Sequence, residues 1–268
     1  MQSCEPDISV VIPTFRRPAA LAQAIASVLR QENVLADVLV IDDCPDGSAA
    51  EVVRAVNDPR VRYLHRPCPS KGCPAMVRND AWSKVTAPLV HFLDDDDLVP
   101  DGHYRRAVHA FADHPGVGVV FGRIEPFGDD LDQVRRERAY FENAAKRARA
   151  CCRFGNVWGF AGALLFKPTL LVCGAAMIRR NCLQAMDGFD ITLPLMEDVD
   201  FYARAIRRFG AYFLDETVLY YRIGPSLMRD GNVTPAIIGS YRQMRRRYRR
   251  EWGFANFCLL NGFARLCL

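Results

Sequence analysis

Hydrophobic and polar positions fall into blocks along the chain, and the block lengths alternate between those of buried strands and those of helices. Ile8-Ser9-Val10-Val11-Ile12 is stopped by Pro13-Thr14, which predicts a buried parallel strand opening into a loop. Over residues 18–31, Ala20, Leu21, Ala24, Ile25, Val28 and Leu29 recur at helical spacing, and Pro18 suits a first turn. Val38-Leu39-Val40-Ile41 predicts a second strand, closed by Asp42-Asp43-Cys44-Pro45-Asp46-Gly47-Ser48. A helix over 49–56 and a strand over 61–64 follow. After a loop over 67–74 that holds Lys71, residues 75–85 predict a helix carrying Arg78 and Asn79. Further strands are expected at 89–93 and 117–121, with an amphipathic helix over 102–114 between them. This alternation predicts an α/β fold, doubly wound with right-handed crossovers, in which three strands end in polar loops able to meet one ligand.

The second half is less regular. Residues 125–154 alternate charges densely, which predicts an exposed helix or a loop with a solvated face. Residues 157–177 are strongly apolar but interrupted by Lys167-Pro168, which predicts core strands rather than a membrane span, with 170–178 strand-like. Residues 199–209 predict a helix with Phe201, Tyr202, Ala205, Ile206 and Phe209 on its apolar face.

The 268 residues, half of them hydrophobic, suit one large α/β domain with a small appendage. A net charge of +4 makes no demand for nucleic acid as a partner. The ten cysteines lack paired-ligand spacing, so reduced, mostly buried thiols are expected rather than structural zinc. Residues 1–7 have neither a charged n-region nor an apolar core, so no signal peptide is expected there.

The chemistry concentrates at Asp94-Asp95-Asp96-Asp97, directly after the strand-like 89–93. Four adjacent carboxylates repel one another. The run is either a solvated acidic turn or a site for a divalent cation with oxygen ligands, and its place beyond a strand end favours the cation. Glu197 and Asp198 open the helix over 199–209, where its dipole favours carboxylates; alone they would pass for a cap.

Taken together and in order, these pieces resemble the family 2 glycosyltransferases with the GT-A fold. The resemblance covers residues 8–226. It is carried by Val10-Val11-Ile12-Pro13-Thr14-Phe15, Val40-Ile41-Asp42-Asp43 with Gly47-Ser48, Arg78-Asn79, and Phe92-Leu93-Asp94-Asp95-Asp96-Asp97. Gly188-Phe189-Asp190, Glu197-Asp198 and Tyr221-Arg222-Ile223 complete it. It implies an inverting transfer from a nucleotide-diphosphate sugar, with uridine donors favoured. The acceptor would be a glycan or a lipid-linked glycan in bacterial surface polysaccharide or glycoconjugate synthesis. It implies that Pro13, Thr14, Phe15 and Arg16 meet the donor, with Phe15 free to stack on the base. Asp42 would hydrogen-bond the base, with Asp43 in reserve. Arg78 would lie near the diphosphate. Asp94 and Asp96 match the family's D-x-D pair, Asp96 holding Mn²⁺ or Mg²⁺, although a four-Asp run leaves Asp95 as an alternative. Asp198 would be the general base, with Glu197 beside it.

Two departures accompany the resemblance. The family's histidine after the Tyr-Arg-Ile strand is missing from Tyr221-Arg222-Ile223-Gly224-Pro225-Ser226, which implies modest metal affinity. The family's Gly-Gly-Phe-Asp is here Asp187-Gly188-Phe189-Asp190, and Asp tolerates a positive φ better than most residues. A nucleotidyltransferase and a nucleotide-sugar binding module are the alternatives. The glycine-free Pro13-Thr14-Phe15-Arg16-Arg17 loop disfavours the first, and retention of both the acidic run and Asp198 the second.

A catalytic domain over 1–225 and a helical extension over 226–268 are expected. Six of the nine residues 242–250 are arginine, interleaved with Tyr248 and flanked by Tyr241 and Trp252; the remainder is apolar apart from Arg265. Two readings stay open: a basic helix packing its aromatics on the domain, or a peripheral membrane contact through 241–268. The second would place a cytoplasmic enzyme at the inner face of the membrane.

Overall fold

Buried aliphatic runs become the strands of one seven-stranded sheet. The computed structural model of the protein describes residues 5–168, 170–224 and 233–267. Residues 1–4, the expected boundary at 225/226, Pro225-Ser226 of the last motif and Leu268 lie outside the described residues. The strands are β1 (Ile8–Thr14), β2 (Ala36–Asp42), β3 (Val61–His65), β4 (Leu89–Phe92), β5 (Val119–Phe127), β6 (Ala176–Arg179) and β7 (Ala211–Arg222). Their order is β3-β2-β1-β4-β6-β5-β7. Every pairing is parallel except those of β6, which runs against both β4 and β5.

The helices are α1 (Pro18–Leu29), α2 (Ala50–Val56), α3 (Pro74–Trp82), α4 (His103–Asp113) and α5 (Leu131–Cys151), then α6 (Trp158–Phe166), α7 (Arg180–Met186), α8 (Glu197–Phe209) and α9 (Thr234–Leu266). The chain winds outward from β1 through β2 to β3, then returns to lay β4 on the other flank of β1. Ligands in such sheets bind at the carboxyl ends of the strands beside this reversal. Those ends deliver Pro13-Thr14-Phe15 from β1, Asp42-Asp43 from β2 and the four aspartates from β4.

The expected strands over 157–177 are not formed. Trp158–Phe166 is a helix whose residues 159–165 are all buried, and only Ala176–Arg179 of the region pairs in the sheet. An apolar run of this length carries no period that separates a buried strand from a buried helix. Glycine and alanine decide the outcome by letting other helices approach closely. A Cβ on Gly162 would stand 2.7 Å from the Leu260 carbonyl oxygen of α9. The charged 125–154 region contains a 21-residue helix, capped by Asp130 accepting from Gln133 N at 2.9 Å. Its face is not wholly solvated, because Val134, Phe141, Ala144, Ala145, Ala148 and Cys151 are buried.

α9 breaks at Gly253, whose φ of 81° and ψ of 162° are not helical. Met244, Tyr248, Leu260 and Ala264 are buried on the domain. Arg207 of α8 lies between two indoles, 4.4 Å from the Trp158 ring and 4.0 Å from the Trp252 ring. The aromatics of the tail's inner side therefore complete the core, the first of the two readings above for that side.

Gly162→Val should push α9 away and cost about 2 kcal/mol, as overpacking of a tight contact does. Gly262→Ala, where nothing lies within 4 Å of the new Cβ, should be neutral or slightly stabilising. Urea unfolding of both variants measures the difference. Equal stability would mean that α9 is not packed on α6 in solution.

Candidate active site

α3 lies between the acidic turn after β4 and the start of α8. Arg78 is buried, and its two terminal nitrogens reach opposite walls: Nη2 donates to Asp94 Oδ1 at 2.8 Å and Nη1 to Glu197 Oε1 at 2.8 Å. The next residue repeats the tie. Asn79 Nδ2 donates to the Phe189 carbonyl at 2.8 Å, and Phe189 N donates to Asn79 Oδ1 at 2.9 Å. The Phe189 ring stacks on Phe201 at 4.1 Å between centroids, and the Arg78 guanidinium lies 5.6 Å from its centre. The Arg78-Asn79 pair thus joins the acidic run after β4 to the loop before α8.

The four aspartates divide into two kinds. Asp94 and Asp96 keep side-chain exposures of 35% and 27%, whereas Asp95 and Asp97 are buried. Asp95 accepts from Thr14 Oγ1 at 2.7 Å and Phe15 N at 3.4 Å, tying the acidic turn to the end of β1. Burial raises its pKa to about 6, against the pull of Thr14 and Arg17. Asp97 accepts from Arg222 N at 2.8 Å, while its Oδ2 has no partner among the described residues. Burial, then the charges of Asp94 and Asp96, hold its carboxyl well above the usual range. Asp96 is also raised, by burial and by Asp94. The alternating exposure leaves one open pair, Asp94 and Asp96, two residues apart. These hard oxygen donors, in a run of four carboxylates met by Arg78 and Arg17, fit a divalent cation. No group of three or more His, Cys, Asp or Glu side chains among the described residues could hold one alone.

Arg17 offsets part of the run's negative charge. Its Nη1 lies 2.7 Å from Asp96 Oδ2 and 3.1 Å from Asp95 Oδ1. Its neighbour Arg16 turns away at φ 55° to an exposed pair with Asp46 at 3.2 Å. Phe15 is exposed, so its ring is open for stacking, and Pro13 is half-buried. Asp42 is fully buried, and both oxygens accept from the chain: Oδ1 from Cys44 N at 2.9 Å, Oδ2 from Ala49 N at 2.8 Å and Tyr63 Oη at 3.1 Å. It shapes the loop after β2. Asp43 is tied to Arg66 and accepts from Ser70 Oγ at 2.6 Å and Ser70 N at 2.8 Å.

On the opposite wall Glu197 and Asp198 begin α8, after Met196 in the left-handed region at φ 64°. Asp198 accepts from Val199 N at 2.8 Å. It is ringed by protein yet keeps an accessible edge, and desolvation followed by the neighbouring Glu197 charge raises its pKa to about 7. Asp187 has φ 57°, so the substituted glycine position does require the left-handed region. Asp200, one turn into α8, is buried between Arg204 and Arg247, and Arg247 also pairs with Asp190.

Several functional contacts escaped the sequence. Arg17, not Arg16, reaches the acidic run, and its only signal was its place in the loop after β1. Arg222 was part of a quoted motif without a role; it donates to the Asp96 carbonyl at 2.7 Å and braces the turn. Arg247 looked like one of six tail arginines, and no local pattern marks it as the one that pairs with Asp190 and Asp200.

The sheet order and the helices around it make up the GT-A fold of glycosyltransferases. The fold is shared with S. aureus TarS 1-349 in complex with UDP-GlcNAc, at a TM-score of 0.66 and 16% identity over 97% of this chain and 72% of that one. It is shared equally with the mannosyltransferase PcManGT from Pyrobaculum calidifontis in complex with GDP-Man and Mn²⁺, at 0.65 and 17% over 98% and 70%. The chain belongs to glycosyl transferase family 2, whose family model matches residues 9–181. Among curated relatives, the succinoglycan biosynthesis protein ExoO of Rhizobium meliloti is 30% identical over 130 residues, 48% of this chain and 36% of that protein. The match therefore spans about a third of that relative's length.

Arg78→Met should strand a buried cluster of carboxylates without its cation. We expect a loss of about 3 kcal/mol at pH 8, at the low end for a broken buried pair because Asp94 is a third exposed. Asp198 is already raised to about 7 against the pull of Arg78, and losing that pull raises it further, so the deficit should shrink as pH falls to 5. A deficit that is constant with pH, measured by urea unfolding, would assign Arg78 to packing alone.

Proposed function

We propose that this chain transfers a sugar, with inversion, from a nucleoside-diphosphate donor to a hydroxyl of a glycan or lipid-linked acceptor in bacterial surface polysaccharide or glycoconjugate synthesis. The observation that carries this is the Arg78 bridge, which joins a donor-side carboxylate, Asp94, to the α8 carboxylates across one cleft. The polysaccharide role of the relative and the nucleotide sugars in the two neighbouring structures support it. The catalytic domain and the tail would act as one unit.

In this reading Pro13, Thr14, Phe15 and Arg16, with the loop shaped by Asp42 and Asp43, receive the nucleoside, and uridine is the preferred one. Asp94 and Asp95 orient the donor side, Asp95 by holding the β1 loop. Asp96, with Asp94, would hold Mn²⁺ or Mg²⁺, and the ion's further ligands would be donor phosphate oxygens. When bound, the cation supplies positive charge to the departing diphosphate. Arg78 adds fixed positive charge at the centre of the cleft. Asp198 accepts the acceptor hydroxyl's proton as that oxygen attacks the anomeric carbon from the side opposite the diphosphate. Its raised pKa suits the task, because a base near the working pH combines ionisation with driving force. Glu197, paired to Arg78, keeps its neighbour's field negative.

Asp198→Asn should lower kcat by about 10²–10⁴ with donor affinity nearly unchanged. In the parent enzyme kcat/KM should fall as pH drops below about 7, because the base works only when ionised, and this limb should vanish in the variant. Retained activity within a few-fold would move the base to Glu197 or elsewhere.

Arg17→Gln removes the cation that lies against Asp95 and Asp96. Calorimetry without nucleotide should show Mn²⁺ binding tightened about tenfold, the effect of one unit charge removed near the site. Weaker binding would mean that Arg17 organises the carboxylates rather than competing for them.

A further inference from the structure

We infer that the outward side of α9 docks on an anionic phospholipid surface. The inner side is spent on the domain, as described above, yet the outer side is not a helix surface of mixed charge. Before the Gly253 break, residues 234–252 hold six arginines and one carboxylate, the exposed Glu251. Arg247 turns inward to Asp190 and Asp200, and Arg245 donates its Nε to the Leu165 carbonyl of α6 at 2.8 Å. Arg242, Arg246, Arg249 and Arg250, with the half-buried Arg245, line a groove of about 870 Å³ that Gly239, Gln243 and Phe257 complete. Among the described residues, Arg242, Arg246 and Arg250 are exposed and have no carboxylate within ion-pair distance. An excess of like charge on one side of a helix stores repulsion that an anionic surface relieves.

After the break the outer side turns apolar. Phe254, Leu259 and Leu266 are exposed at 64%, 55% and 63%, with Ala255, Cys258 and Gly262 also exposed around them. The two parts are continuous, since the Arg249 guanidinium lies 5.5 Å from the Phe254 ring and Phe254 stacks against Phe257 of the groove. Arginines followed by an exposed apolar strip on one helix match an interface in which guanidinium groups meet phosphates and apolar side chains enter the acyl boundary. No helix among the described residues is long and apolar enough to cross a membrane, so the contact is peripheral. A nucleic acid would satisfy the arginines but leave Phe254, Leu259 and Leu266 in water; a second copy of this chain would bring the same positive charge against itself. The inference stands apart from the transfer reaction and survives if that reading fails.

The test is sedimentation of the full chain with vesicles of phosphatidylcholine containing about a third phosphatidylglycerol, against pure phosphatidylcholine. Binding is expected only to the anionic vesicles, weakening as salt shortens the screening length. Arg242→Gln/Arg246→Gln/Arg250→Gln should lower the partition coefficient about a hundredfold, at about fivefold per arginine near such a surface. Phe254→Ser/Leu259→Ser should lower it too and leave the residual binding more sensitive to salt. All five positions are exposed, so thermal unfolding should be unchanged and reports that the fold is kept. Equal binding to both vesicle types, no binding at low salt, or unchanged binding by the arginine variant overturns the inference. So does a dimer in sedimentation equilibrium that Phe254→Ser/Leu259→Ser dissociates without altering vesicle binding, since the apolar strip would then be an interface between copies.

Discussion

A guanidinium buried in the middle of the cleft sets the geometry of everything around it. Removing Arg78 from water costs several kcal/mol unless carboxylates meet it at close range. Here they do so from two distant parts of the chain, Asp94 beyond β4 and Glu197 at the start of α8. The planar fork of arginine can address two partners in fixed directions, which a lysine ammonium cannot. Because the cost of leaving any of the three groups alone is high, the two walls are held at one separation. The reciprocal Asn79–Phe189 hydrogen bonds add a second tie of the same span. One turn of a nine-residue helix thereby registers the sheet side of the cleft against the helical side.

The acidic run becomes tolerable through the same division of labour. Asp97 N donates to the Asp94 carbonyl at 3.2 Å, so the four residues form a turn rather than an extended strand. Two side chains go inward, where Thr14 and the Arg222 backbone receive them; two remain toward the cleft. The inward pair anchors the turn to β1 and β7, and the outward pair, met by Arg78 and Arg17, stays partly exposed where a cation and a diphosphate could meet it. Arg17 softens the repulsion meanwhile.

Most of the strand framework was legible because buried parallel strands write themselves as β-branched runs ended by polar residues. The ends of β1, β2 and β4 were placed by the same signal, and they do converge. What the sequence hid has a common cause. Trp158–Phe166 is buried on all sides, so it has no polar face to reveal a helical period. β6 is four residues long and reversed, and nothing local marks strand direction. The roles of the four aspartates could not be assigned because their exposures depend on Thr14 and Arg222, residues about 80 and 125 positions away. Asp42 offered a carboxylate to the sequence reader, but the loop that follows takes both of its oxygens. The tail was ambiguous because its apolar residues divide between a buried side and, after Gly253, an exposed one.

That ambiguity bears on the candidate base. The segment presenting Asp198 bends through two non-glycine residues with positive φ, Asp187 and Met196. Each such residue costs about 1 kcal/mol or more and persists only where its surroundings over-determine it. The supports are visible. Arg204 donates to the Gly188 carbonyl at 2.8 Å and to Asp200 at 2.9 Å, and Gln243 of α9 donates to Thr192 Oγ1 at 2.7 Å. Arg247 of α9 pairs with Asp190 and Asp200 on either side of the bend. The loop is therefore braced from below by α8 and α3 and from outside by the tail. A helix whose outer side meets a surface and whose inner side grips the loop beside the base would hold that base at a fixed height above the surface. An acceptor presented from the same plane would then arrive with its hydroxyl already near the carboxylate.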